Sequence, residues 1–542
     1  MVQVNESSTR KHLIAVLFAL ALCLAAPSIL SAAPNLYAAE VYADTTFIPK
    51  SLDVVYLGHG TVAWGDYDND GDLDLLITGI GGRDSSNWDD ASPHLSRIYG
   101  NDGGAFSDVQ AGLTGVNNNE GTIWSDYDND GDLDLFIGGG THEPNADPVS
   151  KIYRNDGGVF VELNDHLPDL VGGAAWGDYD RDGDLDLFIF GSPDNGTTFS
   201  SKIYRNNHGR SFTDIEAPIA PVWGGSGAWG DYDNDGDLDL LLVGWGGGAI
   251  AKLYRNVDGT FVDSYASLTP LATGQAKWGD YDGDGDLDIL MTGSHQTLLY
   301  RNDGSGNFSM VTTDFPGLSY STQAWGDFDN DGDLDLVLSG QDATGVQISR
   351  IYRNDGGVFA DLQADLVGLW YCSVNWGDYD DDGDLDLVMA GFQKSEGVWP
   401  YKPLTMLYEN TLLSANQKPS APPGAHHAMA GDTVTLSWNH AIDDKTPEEQ
   451  LTYNIRIGAR PLGEEIVAAE SDPQSGYRKV PRAGNIGEDT SWSTIPALPG
   501  KYYWSVQAID NVYGGSGFAA EDSFTIIGPT HTYKLARGWN LV

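Results

Sequence analysis

At 542 residues the chain is too long for one ordinary core, so several domains or a repeat architecture are expected. Acidic residues outnumber basic ones 79 to 29, for a formal charge of -50. A surface of that sign repels phosphate backbones and anionic lipid, which argues against nucleic acid as a partner and against membrane insertion.

Arg10 and Lys11 precede an apolar run from Leu13 to about Ala26, then the small residues Ser31, Ala32 and Ala33. This pattern predicts a secretory signal peptide over residues 1–33 and a secreted or cell-surface protein. The run is short for a spanning helix, and Leu22 before Cys23 makes a poor lipoprotein cleavage site. With the signal removed only Cys372 remains, so no intrachain disulfide can form and the exported chain needs another stiffener, for which bound metal is the candidate.

From Trp64 onward one phrase recurs, Trp-Gly-Asp-Tyr-Asp-Asn-Asp-Gly-Asp-Leu-Asp-Leu, with copies starting at Trp64, Trp124, Trp176, Trp229, Trp278, Trp325 and Trp376. A period of about fifty residues is that of a propeller blade. Each loop is followed by a short apolar run such as Leu240-Leu241-Leu242, a buried strand. Next comes a second marker of the form Ile152-Tyr153-Arg154-Asn155-Asp156-Gly157, whose Asn-Asp-Gly end reads as hairpin-turn chemistry. Four antiparallel strands per unit follow, and the fold class predicted is all-β: a seven-bladed propeller over residues 45–411, then a sandwich. The last unit stops at Tyr408-Glu409-Asn410 without a fourth strand, and Thr46-Phe47-Ile48 stands where that strand is missing. The N-terminal strand is therefore expected to complete the last blade and remove its exposed edge.

The acidic loop carries the chemistry. Carboxylates at positions 1, 3, 5 and 9, Gly at 6 for the sharp turn and the carbonyl of position 7 converge hard oxygens on one centre, which suits Ca²⁺ and not Zn²⁺. The candidate metal residues are Asp66, Asp68, Asp70, Asp72 and Asp74; Asp126, Asp128, Asp130, Asp132 and Asp134; Asp178, Asp180, Asp182, Asp184 and Asp186; and Asp231, Asp233, Asp235, Asp237 and Asp239. The last three loops add Asp280, Asp282, Asp284, Asp286 and Asp288; Asp327, Asp329, Asp331, Asp333 and Asp335; and Asp378, Asp380, Asp382, Asp384 and Asp386. Up to seven structural calcium ions are expected. An EF-hand or dockerin needs an oxygen at position 12, but here that position is Ile77, Ile137, Ile189, Leu242, Met291, Leu338 and Met389. Without the cation, carboxylates this close should be partly protonated or disordered.

These loops resemble those of FG-GAP and VCBS repeat proteins, whose members include the integrin α propellers. The Phe-Gly and Gly-Ala-Pro elements are absent and Trp-Gly stands before each loop, so the resemblance is to the bacterial-type branch. It implies structural cations between the first two strands of each blade, on the face opposite the usual ligand site.

Residues 412–424 read as a Pro-rich linker. Alternating runs at Thr433–Trp438, Thr452–Ile457 and Tyr502–Asp510 predict a sandwich over residues 425–528. The spacing Tyr502, Val506, Ala508, Asp510 resembles a late strand of fibronectin type III domains. Residues 529–542 read as the start of a truncated segment.

Residues shared by all blades are scaffold, so function is expected where the blades differ. On the face away from the loops the variable segments hold Trp88, His94, His142, Trp223, Trp245, His295, Trp370, Tyr371, Trp399 and Tyr401, with Trp88, Trp245 and Trp399 the leading ligand-face candidates. The reading is a monomeric, secreted, calcium-stabilised binding or adhesion protein for a glycan or a surface or matrix protein. The alternatives are an extracellular enzyme, such as a polysaccharide lyase or phosphatase, and a passive wall protein. No catalytic residues are assigned, because no Ser-His-Asp or zinc signature appears.

Overall fold

The computed structural model describes residues 46–527, apart from 83–92, 118–120, 142–146, 164–166, 195, 395–400, 413–415, 432 and 495–498. The expected signal peptide, Trp88, His142, Trp399 and the segment 529–542 lie outside the described residues. Every regular element described is a strand, so no helix there is long and apolar enough to cross a membrane.

Among the described residues six four-stranded antiparallel sheets and one of five strands follow one another along the chain, the architecture of a β-propeller. Blade 4 shows the plan: Trp223–Gly230, Asp239–Trp245, Ala249–Val257 and Thr260–Asp263 pair in that order, with the acidic loop joining the first two strands. Blade 1 departs only in its innermost strand, which is split into Tyr56–Gly58 and Val62–Gly65 around His59. Blade 7 is closed as expected: Phe47–Lys50 pairs antiparallel with Lys402–Asn410, Phe47 opposite Asn410 and Pro49 opposite Tyr408. The apolar run behind each loop forms the second strand, and position 12 is buried in every blade, as the absence of an oxygen ligand there requires.

Between blades the repeated aromatics stack in series. The position-2 ring of one blade lies on the Trp of the next: Tyr127 on Trp176, Tyr179 on Trp229, Tyr232 on Trp278, Phe328 on Trp376 and, across the ring closure, Tyr379 on Trp64, with centroids 6.0–6.4 Å apart. The same Trp explains the Gly that follows it. A Cβ on Gly230 would lie 2.7 Å from the Trp278 ring, and one on Gly377 would lie 2.5 Å from Trp64, so only Gly lets the next blade approach. Blade 2 carries Ser125 there, and its buried Oγ has no hydrogen-bond partner.

Residues 426–526 form two three-stranded sheets: His426–Ala430, Thr433–Ser437 and Ser491–Thr494 in one, Thr452–Gly458, Gly500–Ile509 and Asp522–Ile526 in the other. Leu436, Trp438, Tyr453, Ile455, Trp492, Trp504, Val506 and Phe524 fill the space between them. Sequence reading makes this unit a spacer on a linker; instead it packs back across the acidic-loop face of the propeller. The contact comes from residues without a clear strand signal, chiefly 464–482, and from the turn at Asn511 and Tyr513.

Candidate metal centres

Two left-handed residues fold each loop. Position 4 (Asn69, Asn129, Arg181, Asn234, Gly283, Asn330, Asp381) and the Gly at position 6 all have positive φ, which bends five residues around the position-1 carboxylate. In blade 1 the two oxygens of Asp66 accept from the N–H groups of Asp70 (3.1 Å) and Gly71 (3.2 Å), and Asp126, Asp178, Asp231, Asp327 and Asp378 do the same in their loops. Position 5 accepts from the N–H of position 7, as Asp70 does from Asp72 at 3.0 Å.

Position 9 is the anchor. Asp74, Asp134, Asp186, Asp239, Asp288, Asp335 and Asp386 are at most 1% exposed. One oxygen of each accepts from the position-2 N–H, the other from the N–H of the Asn in the Tyr-Arg-Asn marker, as in Asn256 to Asp239 at 2.7 Å. That Asn is the functional residue sequence reasoning placed in the turn. It is buried in every blade, and its amide donates both to the position-8 carbonyl of its own loop and to the position-2 carbonyl of the preceding blade. Asn256 reaches Leu238 O at 3.1 Å and Tyr179 O at 2.8 Å, and Asn101 reaches Tyr379 O at 2.8 Å across the closure. The only sequence signal for this role is that the Asn persists where the following turn is lost, at Asn410.

The structure brings positions 1, 3 and 9 together. Carboxylate oxygens of Asp126, Asp128 and Asp134 lie within 4.8 Å of one another, as do those of Asp178, Asp180 and Asp186, of Asp231, Asp233 and Asp239, and of Asp280, Asp282 and Asp288; in blade 1 the trio is Asp66, Asp68 and Asp70. Position 7 is placed otherwise. Asp72, Asp132, Asp184, Asp237 and Asp333 turn a carboxylate oxygen to a main-chain N–H of their own blade's outer hairpin, and Asp132, Asp184, Asp237 and Asp286 also receive the position-4 side chain of the preceding blade. These side chains tie turns and blades together and do not join the cluster.

A cation fits the remaining oxygens. The Oδ1 atoms of Asp128, Asp233 and Asp282 are buried with no hydrogen-bond partner, at the centre of an all-carboxylate donor set. Burial, opposed by the main-chain N–H donors, pushes Asp66 up to about 6, Asp231 to about 7, Asp327 to about 8 and Asp239 to about 8 from the ordinary 3.8. Several Asp clusters of this chain can therefore hold metal ions, with positions 1, 3 and 9 as ligands in blades 2 to 5 and positions 1, 3 and 5 in blade 1.

The blades are not electrostatically equal. In blade 4 Arg255 bridges Asp233 (Nε, 2.8 Å) and Asp235 (Nη2, 2.7 Å), and in blade 5 Arg301 bridges Asp282 and Asp284, both at 2.6 Å. Blade 1 has Gly100 in place of the Arg, and blade 7 has Glu409, paired with Lys50 of the closing strand. Arg255→Gln is expected to tighten divalent binding in blade 4 roughly threefold to fivefold, the scale of a half-exposed ion pair, as read by calcium titration calorimetry. Weaker binding would show instead that the guanidinium holds the carboxylates in place.

On the opposite face, Trp245 is 42% exposed and pairs in register with Trp223 across two strands of blade 4. His295 is exposed in a tight turn, and His94 Nδ1 contacts Gly140 O at 3.0 Å. Trp370, Tyr371 and Tyr401 gather with two residues that sequence reading did not select, His59 and Tyr320. Ring centroids are 4.4 Å apart for Tyr320–Tyr371, 4.6 Å for His59–Tyr371, 4.7 Å for Trp370–Tyr401 and 4.8 Å for Trp370–Tyr371.

A model of the FG-GAP-like repeat matches residues 126–189, 178–242, 231–291, 280–338 and 327–389. Each match runs from position 1 of one loop to position 12 of the next. No curated protein matches the chain. Among solved structures it is similar to an Agrocybe aegerita lectin that recognises non-reducing terminal N-acetylglucosamine, at 18% identity over 57% of this chain and 81% of that one, with a TM-score of 0.39. It is similar also to the extracellular domain assigned to a hybrid two-component system of B. thetaiotaomicron (10% identity, 89% of this chain and 57% of that one, TM-score 0.39) and to the exotype rhamnogalacturonan lyase YesX (15%, 72% and 73%, TM-score 0.35). Five overlapping matches to the FG-GAP-like repeat thus fall on residues 126–389, within the succession of four-stranded sheets that gives this chain its β-propeller fold.

Proposed function

We propose that the chain is an exported binding protein whose propeller is stiffened by calcium at the Asp loops and which takes a neutral glycan on the opposite face. The sandwich is read as fibronectin type III-like and as a cap on the loop face. One observation carries the ligand reading: the cluster of His59, Tyr320, Trp370, Tyr371 and Tyr401. It is uncharged in a chain of formal charge -50, because burial, reinforced by His94, lowers His59 to about 4 and leaves its imidazole neutral at neutral pH. Ring faces of Trp and Tyr stack on the C–H faces of sugars and offer little to an anion.

The backbone at the cluster supports a functional role. His59, Tyr320 and Tyr371 have φ of 54°, 50° and 43°, a costly conformation for bulky residues that persists only where the surroundings impose it. Irregular pairing follows Ser319 and Trp370, and His59 N–H donates to Tyr371 O at 3.0 Å, locking blade 1 to blade 7 at this point. The Trp370 Nε1 is buried with no partner among the described residues.

Glycan-array binding followed by calorimetry on the selected sugar is the test. Trp370→Ala and Tyr401→Ala should each weaken binding at least tenfold, on the order of 1.4 kcal/mol or more, with Trp245→Ala adding a smaller loss. Unchanged affinity in Trp370→Ala and Tyr401→Ala would move the ligand site elsewhere.

A further inference from the structure

We propose that the acidic loops are also the latch for the C-terminal sheets: loading the loops with a divalent cation and docking residues 464–482 and 511–513 onto them form one coupled equilibrium. The inference rests on the cation reading of the loops. The docked segment bonds to main-chain atoms of the loops themselves. Asp66 N–H donates to Lys479 O at 2.8 Å, Asp327 N–H to Asn511 O at 3.1 Å and Asp126 N–H to Glu470 Oε1 at 3.3 Å. In return Asn511 Nδ2 donates to Gly332 O at 2.8 Å, Lys479 Nζ to Gly131 O, and Ala468 N–H to the Asn129 side chain at 2.9 Å.

The partners on the propeller side are thus position 1, position 4 and the position-6 Gly, the residues whose placement depends on the tight fold around the position-1 carboxylate. Hydrogen bonds weaken steeply with distance and angle, so a loop that relaxes when its carboxylates are uncompensated loses these contacts in three blades together.

Charge gives a second, independent argument. Onto the most acidic face of the propeller the segment brings further acids. Glu470 is held by Arg482 against the Asp126 N–H, Glu464 lies against Gly131, and Glu488 and Asp489 sit in the field of the blade 5 and blade 4 loops. Lys479 and Arg181 offset part of this. Acid on acid docks when positive charge lies beneath it, and the centres with unpartnered Oδ1 atoms are where a divalent ion supplies that charge. Because linkage is reciprocal, the docked segment in turn raises the cation affinity of the loops it covers.

The test uses the full mature chain, calcium chloride as the only ligand, and two readouts beside calorimetry: small-angle scattering and limited proteolysis of the 411–425 connection. Removing calcium should raise the radius of gyration and speed cleavage severalfold while the strand signal in circular dichroism persists. Lys479→Met and Asn511→Ala, in calcium, should loosen docking and lower calcium affinity severalfold at the covered sites. Calcium loss proved by calorimetry with scattering and cleavage unchanged overturns the coupling and leaves the cation reading intact; wild-type calcium affinity in both loosened variants overturns it as well, even where calcium-free protein unfolds outright. A chain that binds no divalent ion defeats the latch and the cation reading together.

Discussion

Stripped of divalent cations by dialysis, the protein is expected to melt about 10 °C or more below its calcium-loaded form at pH 8, and the gap is expected to shrink as the pH falls to 5. The first part is mass action: each ion that binds only the folded chain adds about 2.7 kcal/mol at a hundredfold excess over its dissociation constant, and up to seven loops contribute. The second part follows from the buried carboxylates. In the cation-free fold Asp66 lies at about 6, Asp231 at about 7 and Asp239 and Asp327 at about 8, all above the ordinary 3.8, with burial as the first cause. Between roughly pH 4 and pH 8 the folded state therefore holds more protons than the unfolded one, and the stability of the cation-free protein falls as the pH rises. Calcium needs the same groups ionised, so its affinity rises over the same window. Groups remote from the loops and from the segment docked on them titrate alike with and without calcium and cancel from the difference. Thermal scans of the two forms at pH 5, 6, 7 and 8 make the measurement; a gap that is constant or narrows toward pH 8 would remove the loops as the source.

The loop, the strand order and the closing strand were legible in the sequence because each is written in spacing. A fixed period sets the blade, alternation and apolar runs set the strands, and the missing strand after Asn410 left a vacancy that Phe47 could fill. Direction is not written there. Asp72 and its counterparts share the residue type and the spacing of true cluster members, yet the turn at position 6 points their carboxylates to the hairpin and the neighbouring blade. The Asn of the Tyr-Arg-Asn marker reads as part of the turn because Asn-Asp-Gly is turn chemistry, while the turn is made by the residues after it, as at Gly103 and Gly104 with φ of 56° and 86°. The docking of the sandwich was illegible for a different reason. Its contacts use main-chain atoms and an irregular segment, neither of which leaves a periodic trace. His59 and Tyr320 carry no such signal, because nothing local distinguishes a half-buried ring on the variable face from one in a core.

Asn256→Ala is expected to destabilise the calcium-loaded protein by on the order of 3–5 kcal/mol, the class of large effects that comes from breaking a buried hydrogen-bond network. The side chain satisfies three main-chain groups at once: its amide donates to Tyr179 O (2.8 Å) and Leu238 O (3.1 Å), and its carbonyl accepts from Gly259 N–H (2.8 Å). Alanine leaves all three unpaired, Tyr179 O fully buried at about 1–3 kcal/mol and the part-buried Leu238 O and Gly259 N–H at the lower end of that range. Two of those groups belong to blade 4 and one to blade 3, so the loss falls on the joint between blades as well as on the loop. Asn256→Asp should be at least as harmful at pH 8, because a carboxylate then faces two carbonyls beside buried Asp239, and it should recover part of the loss at pH 5, where a protonated acid can donate. Asp258→Asn, two residues on in the exposed turn with φ of 48°, is the control and should stay within about 0.5 kcal/mol, since Asn tolerates that conformation and only the main chain of Asp258 bonds to Asp237. Urea unfolding in calcium reads all three; an Asn256→Ala midpoint no lower than that of Asp258→Asn would mean that the blades are joined by ring stacking alone.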